Sequence, residues 1–232
     1  MQNSLSMKKY SLLIALSLFI GMQAACQSKT ETTKQEESVP QKAEPVQVPV
    51  KNGLSRAYFA SGCFWCVEAI YESVKGVKES ISGYSGGHTE NPNYELSNTG
   101  MTGHAEAVEI IYDPNMVSFS QLVDVYFGSQ NISQVNGQGP DHGSQYRSII
   151  FYQNAAQKNT IEQKIKAIEK ELGIGKVAAE IQPFQKFWKG EVYHQDYEKN
   201  NPNNGYIKGV SIPRLKRFQE KFPELLKEEA KH

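Results

Sequence analysis

Cysteine is scarce in this chain, with three among 232 residues. That is too few for a disulfide framework, so the fold must rest on a hydrophobic core. Charge of one sign is also missing: 25 Lys and Arg offset 25 Asp and Glu. Without a basic excess, a nucleic-acid partner is not expected. Five histidines lie scattered at 88, 104, 142, 194 and 232, and no second cysteine pair exists, so a tetrahedral metal site is not expected and no cofactor is implied. The one long apolar run, Leu12 to Ile20, is too short to span a bilayer comfortably. Internal repeats are absent.

That run has a different meaning. Lys8 and Lys9 precede it, and Ala24, Ala25 and Cys26 follow. A basic stretch, an apolar stretch and small residues make a secretory signal over residues 1–26. Cys26 directly after the small pair resembles a bacterial lipoprotein box, with Gln23 where an aliphatic residue is usual. The expectation is an exported protein, lipid-anchored at Cys26 in the cell envelope and facing the periplasm or cell surface. Residues 27–53 are rich in Lys, Glu, Gln, Thr and Pro and lack aromatics. They bury too little apolar surface to offset their ordering entropy and read as a flexible tether.

The domain expected over 54–232 has strands over about 56–61, 77–84, 104–112 and 146–152. Helices are expected over about 63–75 and 155–172, with another between them on the apolar stripe Phe119, Leu122, Val123 and Tyr126. Ser118 with Gln121 forms a capping box, Asn154 caps the third helix and Gly173 ends it. A further strand covers 177–181, and a short helix lies near 214–222 in an otherwise coil-rich, aromatic C-terminal region. The β-α-β-β-α-β order predicts an α+β two-layer sandwich with a ferredoxin-like core. Two long Gly- and Asn-rich loops, 85–103 and 129–145, exceed the usual length and are candidates for function.

The stretch Gly62-Cys63-Phe64-Trp65-Cys66 carries the most information. It joins a strand to an amphipathic helix, which puts Cys63 in the first helical turn. Free N–H groups and the dipole there favour a thiolate, the nucleophilic form. Cys66 lies one turn on, within reach of Cys63, and redox cycling is the better reading of the pair. Phe64 and Trp65 beside the nucleophile form an aromatic wall that suits a methyl group. Alternation puts Glu106 on the same strand face as Val108, Ile110 and Tyr112. Desolvation there would raise its pKa and make it a proton donor. Asp141 to Arg147 is a dense polar cluster at a strand mouth. Tyr94, His194 and Tyr197 are open to either a structural or a functional reading.

These blocks together resemble the class A peptide methionine sulfoxide reductases over roughly residues 55–210. The shared blocks are Gly62 to Cys66, Gly83 to Gly87, Asn91 to Tyr94, Thr102 to Val108, Asp141 to Ser148 and His194 to Tyr197. The resemblance implies that Cys63 attacks the sulfur of an S-epimer methionine sulfoxide while Glu106 protonates the departing oxygen. Tyr94 and Tyr146 would hydrogen-bond that oxygen, and Phe64 and Trp65 would hold the methyl. Asp141 and His194 would belong to the substrate-binding network. The products are methionine and a sulfenic acid on Cys63. Many relatives resolve that acid with a cysteine in a Gly-rich C-terminal segment. Here that segment, Asn203 to Gly209, has none, so Cys66 is the expected resolver, with a thioredoxin-like protein reducing the disulfide. Two other readings compete. A thioredoxin-like disulfide oxidoreductase would not need the Glu106 and Asp141 blocks, and a lipid-anchored binding module would be indifferent to Cys63→Ser.

Overall fold

The structure is a computed structural model that describes residues 43–231. The expected signal, Cys26 and most of the expected tether lie outside the described residues. Strand β1 covers Ser55–Ala60, helix α1 Phe64–Glu72, β2 Val77–Ser85 and α2 Tyr94–Asn98. Then come β3 (Ala105–Tyr112), α3 (Phe119–Gly128), a small hairpin of β4 (Gly137–Gln138) and β5 (Asp141–His142), and β6 (Ile149–Tyr152). The chain continues through α4 (Ala155–Leu172), β7 (Glu180–Pro183), β8 (Phe187–Lys189), α5 (Tyr197–Asn200) and α6 (Ile212–Lys221). Among the described residues, no helix is long and apolar enough to cross a membrane.

Six strands form one mixed sheet in the order β7-β6-β1-β3-β2-β8. Only β6 and β7 are parallel; the other neighbours are antiparallel. The result is a mixed α/β fold. On one face, Phe59, Val108 and Ile110 pack beneath Ile70 of α1 and Leu122 and Tyr126 of α3. Each such side chain, fully buried, contributes roughly 1.5–3 kcal/mol. On the other face, Tyr58, Ala105, Ala107 and Phe151 form a second cluster with Phe184. Here the Tyr58 and Phe184 rings stack at 3.8 Å.

That second face also holds the end of the expected tether. Val46 N–H donates to the Phe184 carbonyl at 2.7 Å, Val48 N–H donates to Gln153 Oε1 at 2.8 Å, and Val48 packs on the cluster. Residues 44–50 therefore form a strap on the domain. Gln185 Nε2 donates to the Glu44 carbonyl at 2.7 Å as well, so one packed valine and three hydrogen bonds offset the ordering cost that composition alone predicted would win.

The C-terminal region is less coil-rich than expected. It contains β8, α5, a π-helical turn over Ile207–Ser211 and α6. The 85–103 loop holds α2, whose cap Asn93 accepts from Leu96 N–H at 2.9 Å. The strand expected from Tyr146 starts at Ile149, because Ser144–Tyr146 wind into a 3-10 turn. The strand expected over 177–181 is shifted to Glu180–Pro183 by its pairing with β6.

Candidate active site

Gly62 sets the entry to the site. Its φ is +80°, and a Cβ there would overlap the Gln138 side chain. Only glycine meets both demands. The turn delivers Cys63 as the N-cap of α1. The N–H of Phe64, free at the helix start, donates to Glu106 Oε2 at 3.0 Å. This bond ties the first turn of α1 to β3 and sets the carboxyl beside the nucleophile's own peptide.

Glu106 is 2 % exposed and shares its strand face with buried Val108, Ile110 and Tyr112. Burial pushes its carboxyl up to about 8, with the Asp141 charge adding to the rise and the Phe64 bond opposing it. At neutral pH it is a protonated acid.

The two thiols are unlike each other. Burial pushes the Cys63 thiol well up, and Cys66 and Glu106 push it further. Cys66 is pulled down to about 6, by a hydrogen bond from Cys63 first, then by Arg214, Ser211 and Tyr206. The two thiols titrate as a pair that loses its first proton easily and its second with difficulty. Desolvation opposes charge on the pair, while Arg214 and the Tyr206 hydroxyl favour it.

Around Cys63 lies an aromatic wall. Phe64 stacks against Tyr94 with ring centres 6.3 Å apart. Trp65 is only partly buried and stacks on Tyr197 at 3.8 Å. The indole N–H of Trp65 donates to His194 Nδ1 at 3.0 Å. His194 is 0 % exposed and touches the rings of Phe64 and Tyr94. Burial lowers its pKa, so the ring is neutral. His194, expected to bind substrate, lies instead behind the wall and positions Trp65. The Tyr146 hydroxyl bonds Asn98 Oδ1 at 3.4 Å, and its phenol is pushed up by burial and by Glu106, Tyr94 and Cys63. Asp141 accepts from the Tyr206 hydroxyl at 2.6 Å.

Tyr206, Glu191 and Arg214 are site residues that the sequence reading missed. The Tyr206 hydroxyl touches the Cys66 sulfur at 3.6 Å. It comes from the C-terminal segment that was read only for its missing cysteine. Glu191 accepts from the Tyr94 N–H at 2.8 Å and the Tyr84 hydroxyl at 2.9 Å, fixing the base of α2. Arg214, 8 % exposed, donates to the carbonyls of Ser129 and Ser61 at 2.8 and 3.0 Å. Among the described residues, no group of His, Cys, Asp or Glu could hold a metal ion.

The arrangement pairs a buried nucleophilic thiol with a neutral acid, an aromatic recess and a second thiol. Comparison with known proteins gives it a context. The family model for peptide methionine sulfoxide reductase matches residues 55–226. A peptide methionine sulfoxide reductase MsrA of Saccharolobus solfataricus is 42 % identical over 171 residues, covering 74 % of this chain and 96 % of the relative. MsrA 1 of Rhodopirellula baltica is 40 % identical, covering 82 % of this chain and 98 % of the relative. Among solved structures, methionine sulfoxide reductase A of Corynebacterium diphtheriae superposes with a TM-score of 0.60 at 29 % identity, covering 70 % of this chain and 84 % of that one. Reduced Mxr1 of Saccharomyces cerevisiae gives a TM-score of 0.60 at 29 % identity, over 69 % and 91 % of the two chains.

Proposed function

The chain belongs to the peptide methionine sulfoxide reductase family, and from that premise we propose how its residues divide the work. The enzyme reduces S-epimer methionine sulfoxide, in proteins and free, to methionine. The substrate methyl sits against Phe64 and Trp65, with Tyr94 and Tyr146 hydrogen-bonding the sulfoxide oxygen. As the Cys63 sulfur attacks the sulfoxide sulfur, its proton passes to the neighbouring Cys66 thiolate. Glu106 gives its proton to the oxygen. Oxygen ends on Cys63 as a sulfenic acid, and methionine leaves. Asp141 and Tyr206 hold the polar side of the site. The single observation that carries this assignment is the buried Glu106, protonated to about pH 8 and bonded to the Phe64 N–H beside Cys63.

The Cys66 sulfur then attacks the Cys63 sulfenic acid. An S–S bond forms, and the hydroxyl leaves with a proton as water. A thioredoxin-like protein thiol reduces the disulfide. The placement of both free thiols in the first turn of α1 supports this reading, as does the absence of a cysteine from Asn203 to Gly209. Mass spectrometry after one turnover without reductant tests it. The chain should lose two hydrogens, whereas Cys66→Ser should keep the sulfenic oxygen and lose turnover with thioredoxin. A persistent sulfenic acid in the unaltered chain would leave a one-cysteine cycle with an external thiol.

We also read residues 1–26 as a secretory signal and Cys26 as a lipid anchor, on the sequence pattern alone. The ferredoxin-like reading of the core is supported by the order β6-β1-β3-β2 with antiparallel neighbours.

A further inference from the structure

A cleft of about 740 Å³ lies beside the thiol pair, and Glu106 is not among its lining residues. Cys66 lines it and Cys63 does not. One wall is α6, which presents Arg214, Arg217 and Lys221 at positions i, i+3 and i+7 of a single helical face. Asp141 is the only carboxylate in the lining, and it is engaged by Tyr206. Among the described residues, neither Arg217 nor Lys221 forms a salt bridge. Three cations thus face one carboxylate around a sulfur that is itself 1 % exposed.

We infer that this cleft binds small anionic thiols, of peptide size and bearing carboxylates, which reduce the enzyme by attacking Cys66. The inference rests on the Cys63–Cys66 disulfide proposed above. The volume falls within the range of small-ligand sites. The cations serve two purposes: they hold the carboxylates, and they lower the pKa of the incoming thiol so that more of it is thiolate. The incoming thiolate bonds to the Cys66 sulfur, the Cys63–Cys66 bond breaks, and Cys63 leaves as a thiolate that takes up a proton. A second thiol attacks the small-molecule sulfur of the mixed disulfide. It releases Cys66 and a symmetrical small-molecule disulfide, so two thiols supply the two electrons.

The test uses the full chain oxidised with one equivalent of methionine sulfoxide and examined by mass spectrometry before any thiol is added. Its reduction is then timed with glutathione and with glutathione diethyl ester, which has the same thiol but masked carboxylates. Glutathione should react roughly five- to tenfold faster, the effect of two half-screened ion pairs. In the double variant Arg217→Ala/Lys221→Ala the ratio should fall to near one. A ratio near one in the unaltered chain, or one the double variant leaves unchanged, overturns the cleft as a thiol site. A sulfenic acid in the first spectrum, in place of the disulfide, overturns the disulfide reading and this inference with it.

Discussion

Glu106 serves as an acid at neutral pH because its strand neighbours are apolar and the one bond it accepts comes from a neutral peptide N–H. Replacing it with Gln keeps a hydrogen-bond donor but removes the transferable proton. Single-turnover oxidation of Cys63, followed by rapid quench, should slow by roughly 100-fold or more in Glu106→Gln. The pH profile of the same step carries both partners. The rate needs charge on the thiol pair, so it should rise as pH passes about 6. It needs a protonated Glu106, so it should fall as pH passes about 8. A profile flat across this range would remove both assignments. Glu106 was visible in the sequence because alternation along a strand is a local property. Tyr206 and Arg214 were not, because each meets Cys66 or Ser61 from 140 or more residues away. Such meetings depend on how the C-terminal helices fold back, which no local spacing encodes.

Elements with their own boundary chemistry were read well, and short ones were not. Helix α3 begins where Ser118 and Gln121 make their reciprocal bonds, and α4 begins where Asn154 accepts from Gln157 N–H. Helix α1 is shorter at both ends than the apolar stripe implied: it starts at Phe64 because Cys63 is its cap, and it ends at Glu72. Strand β8 has three residues, too few for any periodicity, and exists because Gly83 lets the Trp188 carbonyl approach β2 closely. The hairpin of β4 and β5 is shorter still, yet it brings Gln138 against Gly62 and Asp141 toward Tyr206. The capping box offers a clean check on an element far from the chemistry. Ser118→Ala should cost about 1 kcal/mol, read as a lower urea midpoint with an unchanged slope.

The whole molecule carries a pH signature in its stability. Glu106 and Glu68 are each raised by burial to about 8, and Glu72 to about 7. In the unfolded chain these carboxyls ionise near 4.5. The folded state therefore holds protons that the unfolded state has released, and stability contributed below about 4.5 is lost as pH rises through 7 to 8. The thermal midpoint should drop by roughly 5 °C or more between pH 5 and pH 8 in scanning calorimetry, and a midpoint rising over that range would contradict the burial of these groups. The strap of residues 44–50 is another property of the whole: its composition reads as tether, and only the apolar face it covers explains its order. The spacing of the two thiols has a last consequence. An enzyme that resolves with a distant C-terminal cysteine has to carry that segment to the nucleophile and back in every round. Here both sulfurs belong to the first turn of α1, Cys63 as its cap and Cys66 three residues on. The electron transfer can close without an excursion of the backbone, and the π-helical turn and α6 are free to remain a fixed wall throughout the cycle.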